Sequence, residues 1–507
     1  MVFQNLQKKL RSPEGLLYLA LAVGIAMTVA QTFFSVDLYR DSANVYAFMA
    51  RALAEGDFQD AVHPAIPSLN VLLSRPFTLL GLRPEQALGA VSGIFYLLSI
   101  VFLYHLLAEF LPGTPAGVGT LLYAFAPKVI RFSYSAIIDS GKLCFLIAAL
   151  YFAYKLIRCQ FRSYAHAFCL GAMLGGLALA RSEGIGSAAV IAVCTMVYYA
   201  IEIRRRKKLP PVLPMLTAAA AFLVPVLSRM WLIQQHSGRF IFDSRIANGI
   251  ARLAAKFTSS PVAAAAVAAA PKPLRTSWWH LINQNLRGEY ELYLPFTIVG
   301  IILIILAAKW KDAAKLYPDK QLPPFVGWNS FYAVFIVIVL TNALTFKLAD
   351  IAAYRYFLLN IPMLMVFTLI GLHWLWGWFA KYLPVKLLCV AAAAVFLFQI
   401  VNGTENFFKK AGRRQYETGL YIGRLLDAEH NTRRVWFRNA CVEWYYSGMR
   451  RAFPIETPTP DAATFKGFDY VLWADDEDDL EVIAARKDLR EIPLPEGCRV
   501  RLFQRIE

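Results

Sequence analysis

Long apolar runs separated by short polar turns fill the chain as far as residue 401. The first, 15–34, carries no charge and is long enough to cross a bilayer. Further runs follow at 86–110, in a stretch ending near 127, in one continuing to 157, and at 165–180, 184–201, 212–233, 292–308 and 325–346. Ala353-Tyr354-Arg355-Tyr356 opens a tenth run, and an eleventh ends near Val401. The pattern predicts a mainly α, polytopic transmembrane helical bundle of about eleven to thirteen spans. Residues 35–80 break it. Val45, Phe48, Met49, Ala52 and Leu53 share one face at helical spacing, which predicts a short amphipathic helix with that face in the membrane interface. Past residue 404 the apolar runs shorten. Strand-type runs at 435–437, 470–473 and 499–503 and helical patterns at 416–429 and 479–487 predict a small C-terminal α/β domain, 404–507, after a membrane domain, 1–403.

Charge gives this arrangement a direction. Lys8, Lys9 and Arg11 precede the first run, and basic groups recur at Lys155, Arg158 and Arg162, at 204–208, at Lys309, Lys311, Lys315 and Lys320, and at Lys381 and Lys386. Basic groups sort to one side at nearly every turn, so the N-terminus is expected to be cytoplasmic, with loops 35–85 and 234–291 and the C-terminal domain outside. The net charge of +17 fits this bias and contact with anionic lipid. No zinc-finger spacing or nucleic-acid-binding motif accompanies it. A hydrophobic fraction of 58% with 17% charged residues excludes an ordinary soluble domain of 507 residues. The first run lacks a small-residue cleavage site and reads as an uncleaved anchor. Five of the seven cysteines lie in or beside apolar runs and read as buried thiols. Cys441 and Cys498 lie in the tail, where either a disulfide or two thiols fits the sequence.

Ionisable residues at apolar boundaries are the candidates for chemistry. Asp37 and Asp41 follow the first run, and Asp139 opens the fourth. Asp41 reads either as a base or as the N-cap of the amphipathic helix, and Asp139 has the same two readings. Lys128 and Arg131 precede Asp139 and fit either phosphate binding or snorkelling. Arg181 and Glu183 stand between two apolar runs, where unpaired charges are costly.

The order Asp41, Tyr46, Ala50, Leu53, Gly56-Asp57, His63-Pro64 and Pro67, with Gly81-Leu82 downstream, resembles the first outer loop of the GT-C membrane glycosyltransferases. The similarity is to the protein O-mannosyltransferase and lipid A aminoarabinose transferase type. Many members have Asp-Glu and a Tyr four residues after the Asp. Here Ser42 follows Asp41 and Tyr46 stands five residues on, so Asp37 is the alternative acid. Leu179-Ala180-Arg181-Ser182-Glu183-Gly184 is similar to a Leu-x-Arg-x-Glu-Gly pattern of the family, and Arg355-Tyr356 with Pro362 to its Arg-Tyr…Pro.

The resemblance implies transfer of a sugar from a polyprenyl-phosphate carrier to a lipid, glycan or protein acceptor. The site would lie on the outer face of a bacterial inner membrane, and transfer would be inverting. It implies Asp41 as general base and Asp139 or Asp37 as a second acid or an acceptor or metal ligand. Arg355, Lys128 and Arg131 would take the carrier phosphate. Tyr46, His63, Arg181, Glu183 and Tyr356 complete the candidates. The lipid-linked sugar is the donor substrate, no further cofactor is assigned, and a divalent metal stays open. Trp278-Trp279 is followed by His280, which departs from the Trp-Trp-Asp signature of oligosaccharyltransferase catalytic subunits. A transporter or flippase of lipid-linked sugars and an inactive GT-C-like scaffold are the other readings. No inverted repeat supports the first of these.

Overall fold

The computed structural model describes residues 12–34, 42–62, 69–111, 113–134, 138–181, 184–206, 211–238, 293–309, 331–348, 359–379, 410–426, 435–438, 440–448, 469–475, 480–496 and 498–506, with a few isolated positions besides. Helix α1 (Pro13–Phe34) is followed by a π turn (Ser42–Tyr46) that runs directly into α2 (Ala47–Glu55). Gly56, at a φ of 86°, ends α2 in the left-handed conformation open to glycine. Next come α3 (Phe58–Ala61), α4 (Leu69–Leu79) and α5 (Pro84–Phe110). Helices α6 (Thr114–Ala124) and α7 (Pro127–Tyr134) precede α8 (Asp139–Arg158), α9 (Tyr164–Ala180), α10 (Gly184–Arg206) and α11 (Leu213–Ser237). The later apolar helices are α12 (Leu294–Lys309), α13 (Phe331–Leu348) and α14 (Ile361–Phe379).

Five of these, α1, α5, α8, α10 and α11, are long and apolar enough to cross a membrane. Four shorter apolar helices, α9, α12, α13 and α14, stand beside them. The expected third crossing differs. Its segment is broken at 125–126, leaving an eleven-residue α6, about 16 Å long. Pro127, which lacks an N–H, starts a separate helix there. Most of the expected eleventh crossing, the 234–291 loop beyond its first residues, and Cys389 lie outside the described residues.

Helices α5 and α8 form the centre and bury most of their length. Toward one end, Phe110 meets Tyr154, Phe331, Tyr332 and Phe335 at 4.8–6.0 Å between ring centroids. Small residues set two close crossings. A Cβ on Gly300 would strike the carbonyl of Phe367, and one on Gly371 that of Phe296, so α12 and α14 touch backbone to backbone. Gly171 does the same for α9 against Ala218 of α11.

The C-terminal domain opens with α15 (Lys410–Leu425), β1 (Val435–Arg438) and α16 (Cys441–Ser447). It continues with β2 (Tyr470–Ala474), α17 (Leu480–Ala484), β3 (Leu489–Ile492) and β4 (Val500–Arg505). The sheet order is β1-β2-β4-β3, with β1 parallel to β2 and the other pairs antiparallel. Side chains alternate along β2 as a strand requires. Tyr470, Leu472 and Ala474 join a cluster with α16 and α2, whereas Val471 and Trp473 pack with Ile483 of α17. Cys441 and Cys498 are both free thiols, which removes the disulfide alternative. Cys441 is buried at the start of α16, while the Cys498 sulfur lies 3.4 Å from the Thr418 hydroxyl on α15.

Helix α2 requires a second correction. Its buried residues, Ala47, Met49, Ala50, Ala52 and Leu53, do not face lipid. They share one hydrophobic cluster with Val71, Leu88, Trp444, Tyr445 and Leu502. Protein from two other parts of the chain covers the apolar face, because burial against side chains satisfies it as well as lipid would.

Candidate active site

An ion pair joins two helix ends within the apolar bundle. Asp139 is the first residue of α8, and Arg181 caps the C-terminal end of α9. The Arg181 guanidinium donates to Asp139 Oδ1, and the two side chains are only 9% and 5% exposed. Each charge suits its place, the carboxylate at a positive helix N-terminus and the cation at a negative C-terminus. The second carboxylate oxygen, Oδ2, has no hydrogen-bond partner among the described residues. Lys142 lies fully buried in the same first turn of α8. Asn70, in the first turn of α4, is buried beside it, since a Cβ on Gly141 would come within 3.1 Å of Asn70 Oδ1. The Asn70 amide and the Ser140 hydroxyl have no hydrogen-bond partner among the described residues.

A second polar chain runs across three neighbouring elements. Ser187, near the start of α10, donates to Asn342 of α13 at 3.3 Å, and Asn342 donates to Asn360 at 2.9 Å. Ser187 follows the Arg181…Gly184 motif, and Asn360 follows the Arg355-Tyr356 motif, so this chain ties two separate motif-bearing segments together. Arg229, on α11, is also buried and donates to the carbonyls of Phe242 at 3.0 Å and Ile66 at 3.2 Å. Ile66 belongs to the His63…Pro67 motif, which brings α11 against the first loop.

Of the residues singled out in the sequence, Asp139 and Arg181 meet directly. Lys128 and Arg131 lie on α7, partly exposed. Tyr46 ends the π turn before α2 and packs half-buried between the bundle core and the α2 cluster. Asp37, Asp41, His63, Glu183, Arg355 and Tyr356 lie outside the described residues. Lys142, Asn70, Ser140 and Arg229 were not singled out. Lys142 and Arg229 left a usable signal, because each is a lone cation within an apolar run. Asn70 left none, since an Asn shortly after two prolines reads as a turn residue. Among the described residues no three His, Cys, Asp or Glu side chains gather to hold a metal. Asp139 itself is matched by the Arg181 cation.

Residues 63–231, about a third of the chain, match the family described as dolichyl-phosphate-mannose-protein mannosyltransferase. No curated protein matches the chain. Among solved structures, the oligosaccharyltransferase AglB from Archaeoglobus fulgidus, in complex with an inhibitory peptide and a dolichol-phosphate, aligns with a TM-score of 0.50. The identity is 11%, over 92% of this chain and 70% of that one. The fold is that of the GT-C membrane glycosyltransferases. ArnT from Cupriavidus metallidurans bound to undecaprenyl phosphate aligns at a TM-score of 0.42 and 13% identity, over 96% of this chain and 98% of its own. The arabinofuranosyltransferase AftD from Mycobacteria aligns at 0.46 and 15%, over 96% and 39%. The Asp139–Arg181 pair, Asn70 and Arg229 all lie inside the segment that matches the mannosyltransferase family. The buried charges Asp139, Lys142, Arg181 and Arg229 thus fall within the segment that matches a known family.

Proposed function

We propose that this protein is an integral-membrane glycosyltransferase that moves a sugar from a polyprenyl-phosphate carrier to a lipid, glycan or protein acceptor. The observation that carries this reading is the buried pair Asp139–Arg181, with Lys142 and Asn70 around it, inside the family-matching segment of an otherwise apolar bundle. Charges held in such surroundings mark function by default. The dolichol-phosphate on AglB, a protein of the same fold, supports a polyprenyl phosphate as the carrier.

In this reading Asp41 takes the proton from the acceptor hydroxyl, with Asp37 as the alternative base. The hydroxyl oxygen forms its bond to the anomeric carbon as the carbon–oxygen bond to the phosphate breaks. The polyprenyl phosphate leaves with that electron pair, and the configuration at the anomeric carbon inverts. Arg355, Lys128 and Arg131 neutralise the leaving phosphate, for which a guanidinium fork or an ammonium is suited. Arg181 holds Asp139 in place through Oδ1, and Asp139 Oδ2 is the acceptor atom left over. Transfer takes place on the outer face, where the basic-residue pattern puts loop 35–85.

The test is a transfer assay in nanodiscs, with a panel of radiolabelled polyprenyl-phosphate sugars and a membrane extract as acceptor. One donor should be consumed by the wild type, and Asp41→Asn should lower turnover by roughly 10²–10⁴-fold, the usual worth of a general base. Full activity in Asp41→Asn would move the base to Asp37. No transfer from any donor by folded wild-type protein would favour a flippase or a scaffold instead.

A further inference from the structure

One tyrosine of the C-terminal domain links three elements. Tyr445, near the middle of α16, is 1% exposed. Arg51 of α2 lays its guanidinium 4.1 Å from the Tyr445 ring centroid and donates to the Tyr445 carbonyl at 2.8 Å. The Tyr445 hydroxyl donates to Glu85 Oε2 at 2.8 Å, and Glu85 sits in the first turn of α5. Beside it the rings of Phe48 and Trp444 stand 5.8 Å apart. The C-terminal domain therefore grips the first-loop helix and the start of a central helix at once.

Helix α2 needs such a grip. At nine residues it is too short to be stable alone. On its other side Arg75 of α4 donates to the Ala54 carbonyl at 2.8 Å. Helix α4 in turn carries Asn70 against Gly141, two residues from Asp139. A continuous run of contacts thus leads from Tyr445 through α2 and α4 to the Asp139–Arg181 pair. In sequence, Asp41 immediately precedes the π turn that opens into α2.

We propose that Tyr445 is a positioning residue of the transfer site: by bridging Arg51 and Glu85 it holds α2 against the bundle. The proposal rests on the glycosyltransferase reading and makes the C-terminal domain a fixed wall of the site. A cation over a tyrosine ring and a hydrogen bond to a carboxylate are both directional, so together they set the angle of α2 and not merely its burial.

Tyr445→Phe removes only the hydroxyl, Glu85→Ala removes its acceptor together with the Arg83 ion pair, and Glu85→Gln loses that ion pair but keeps an oxygen that can accept from Tyr445. The full-length variants in nanodiscs would be compared by backbone amide exchange over 47–55 and by transfer kinetics with the donor the wild type uses. Tyr445→Phe and Glu85→Ala should each speed exchange in α2 about tenfold and lower kcat about tenfold, leaving the donor KM within about twofold. The double variant should be no worse than Glu85→Ala alone, because both substitutions delete the Tyr445–Glu85 bond. Glu85→Gln should behave like wild type, which a general loss of packing would not produce. Unchanged exchange, faster exchange with unchanged kcat, or effects that multiply in the double variant would each overturn the proposal. Failure of the wild type to use any donor would sink the glycosyltransferase reading instead, and the exchange arm would still decide whether Tyr445 holds α2.

Discussion

Asp139 and Arg181 are 42 positions apart in the chain and share one bond at the meeting of two antiparallel helices. Removing either partner breaks a buried ion pair. Asp139→Ala and Arg181→Ala should each destabilise the folded protein by about 3–5 kcal/mol, with the double variant less damaged than the sum of the two. Thermal unfolding of the four proteins in one detergent measures this, and strict additivity would mean that the two charges do not depend on each other. Both residue types were visible in the sequence as boundary charges. Their partnership was not, since Arg181 stands two residues from Glu183 and local spacing suggests that neighbour first. Lys142 shows the reverse case: a cation three residues after an acid in an apolar run was open to notice on burial grounds alone.

At the scale of elements, crossing geometry governs what the bundle tolerates. Helices α12 and α14 meet at Gly300 and Gly371, each of whose missing side chains would collide with backbone of the other helix. Backbone cannot step aside as a flexible side chain can. Gly300→Leu or Gly371→Leu should force the helices apart at a cost of at least about 1–3 kcal/mol. Gly186→Ala, where nothing lies within 4 Å of the new methyl, should be tolerated. The yield of monodisperse protein after mild heating separates the two outcomes, and equal yields would show that the crossing is looser than its backbone contacts imply. Helix α2 teaches a different lesson at this scale. Its periodicity correctly announces an amphipathic helix, but periodicity describes only the face and never what covers it. Lipid and the Trp444–Tyr445 surface are equally apolar partners, and only the fold chooses between them.

Across the whole molecule, the C-terminal domain and the bundle behave as one packed body at Tyr445. Burial, reinforced by Glu85 and opposed by Arg51, pushes the Tyr445 phenol well above the usual tyrosine range. The groups facing it are Arg51 of α2, Glu85 of α5, itself paired with Arg83 at 3.3 Å, and Tyr446 of its own helix. A phenol with a raised folded pKa contributes its full stabilisation below the ordinary value of about 10 and loses it as pH climbs beyond that toward the folded value. Domain docking should therefore be insensitive to pH between about 6 and 9 and weaken above about 10. Melting temperatures across that range, compared with Tyr445→Phe, test the assignment. The wild type should fall more steeply at alkaline pH, and parallel curves would place the dependence on another group.

The chain by itself determined most of the apolar helices, three of the four described strands of the C-terminal domain and the boundary charges, because each depends on residues close to one another in sequence. Length and apolarity suffice for a span, and alternation suffices for a strand. The contacts of Arg181 with Asp139, of Asn342 with Asn360 and Ser187, and of Tyr445 with Arg51 and Glu85 were decided only by tertiary structure. Residues up to 394 positions apart meet in them, and a side chain's chemistry states what it can bond, never which of many equal partners the packed helices bring within reach.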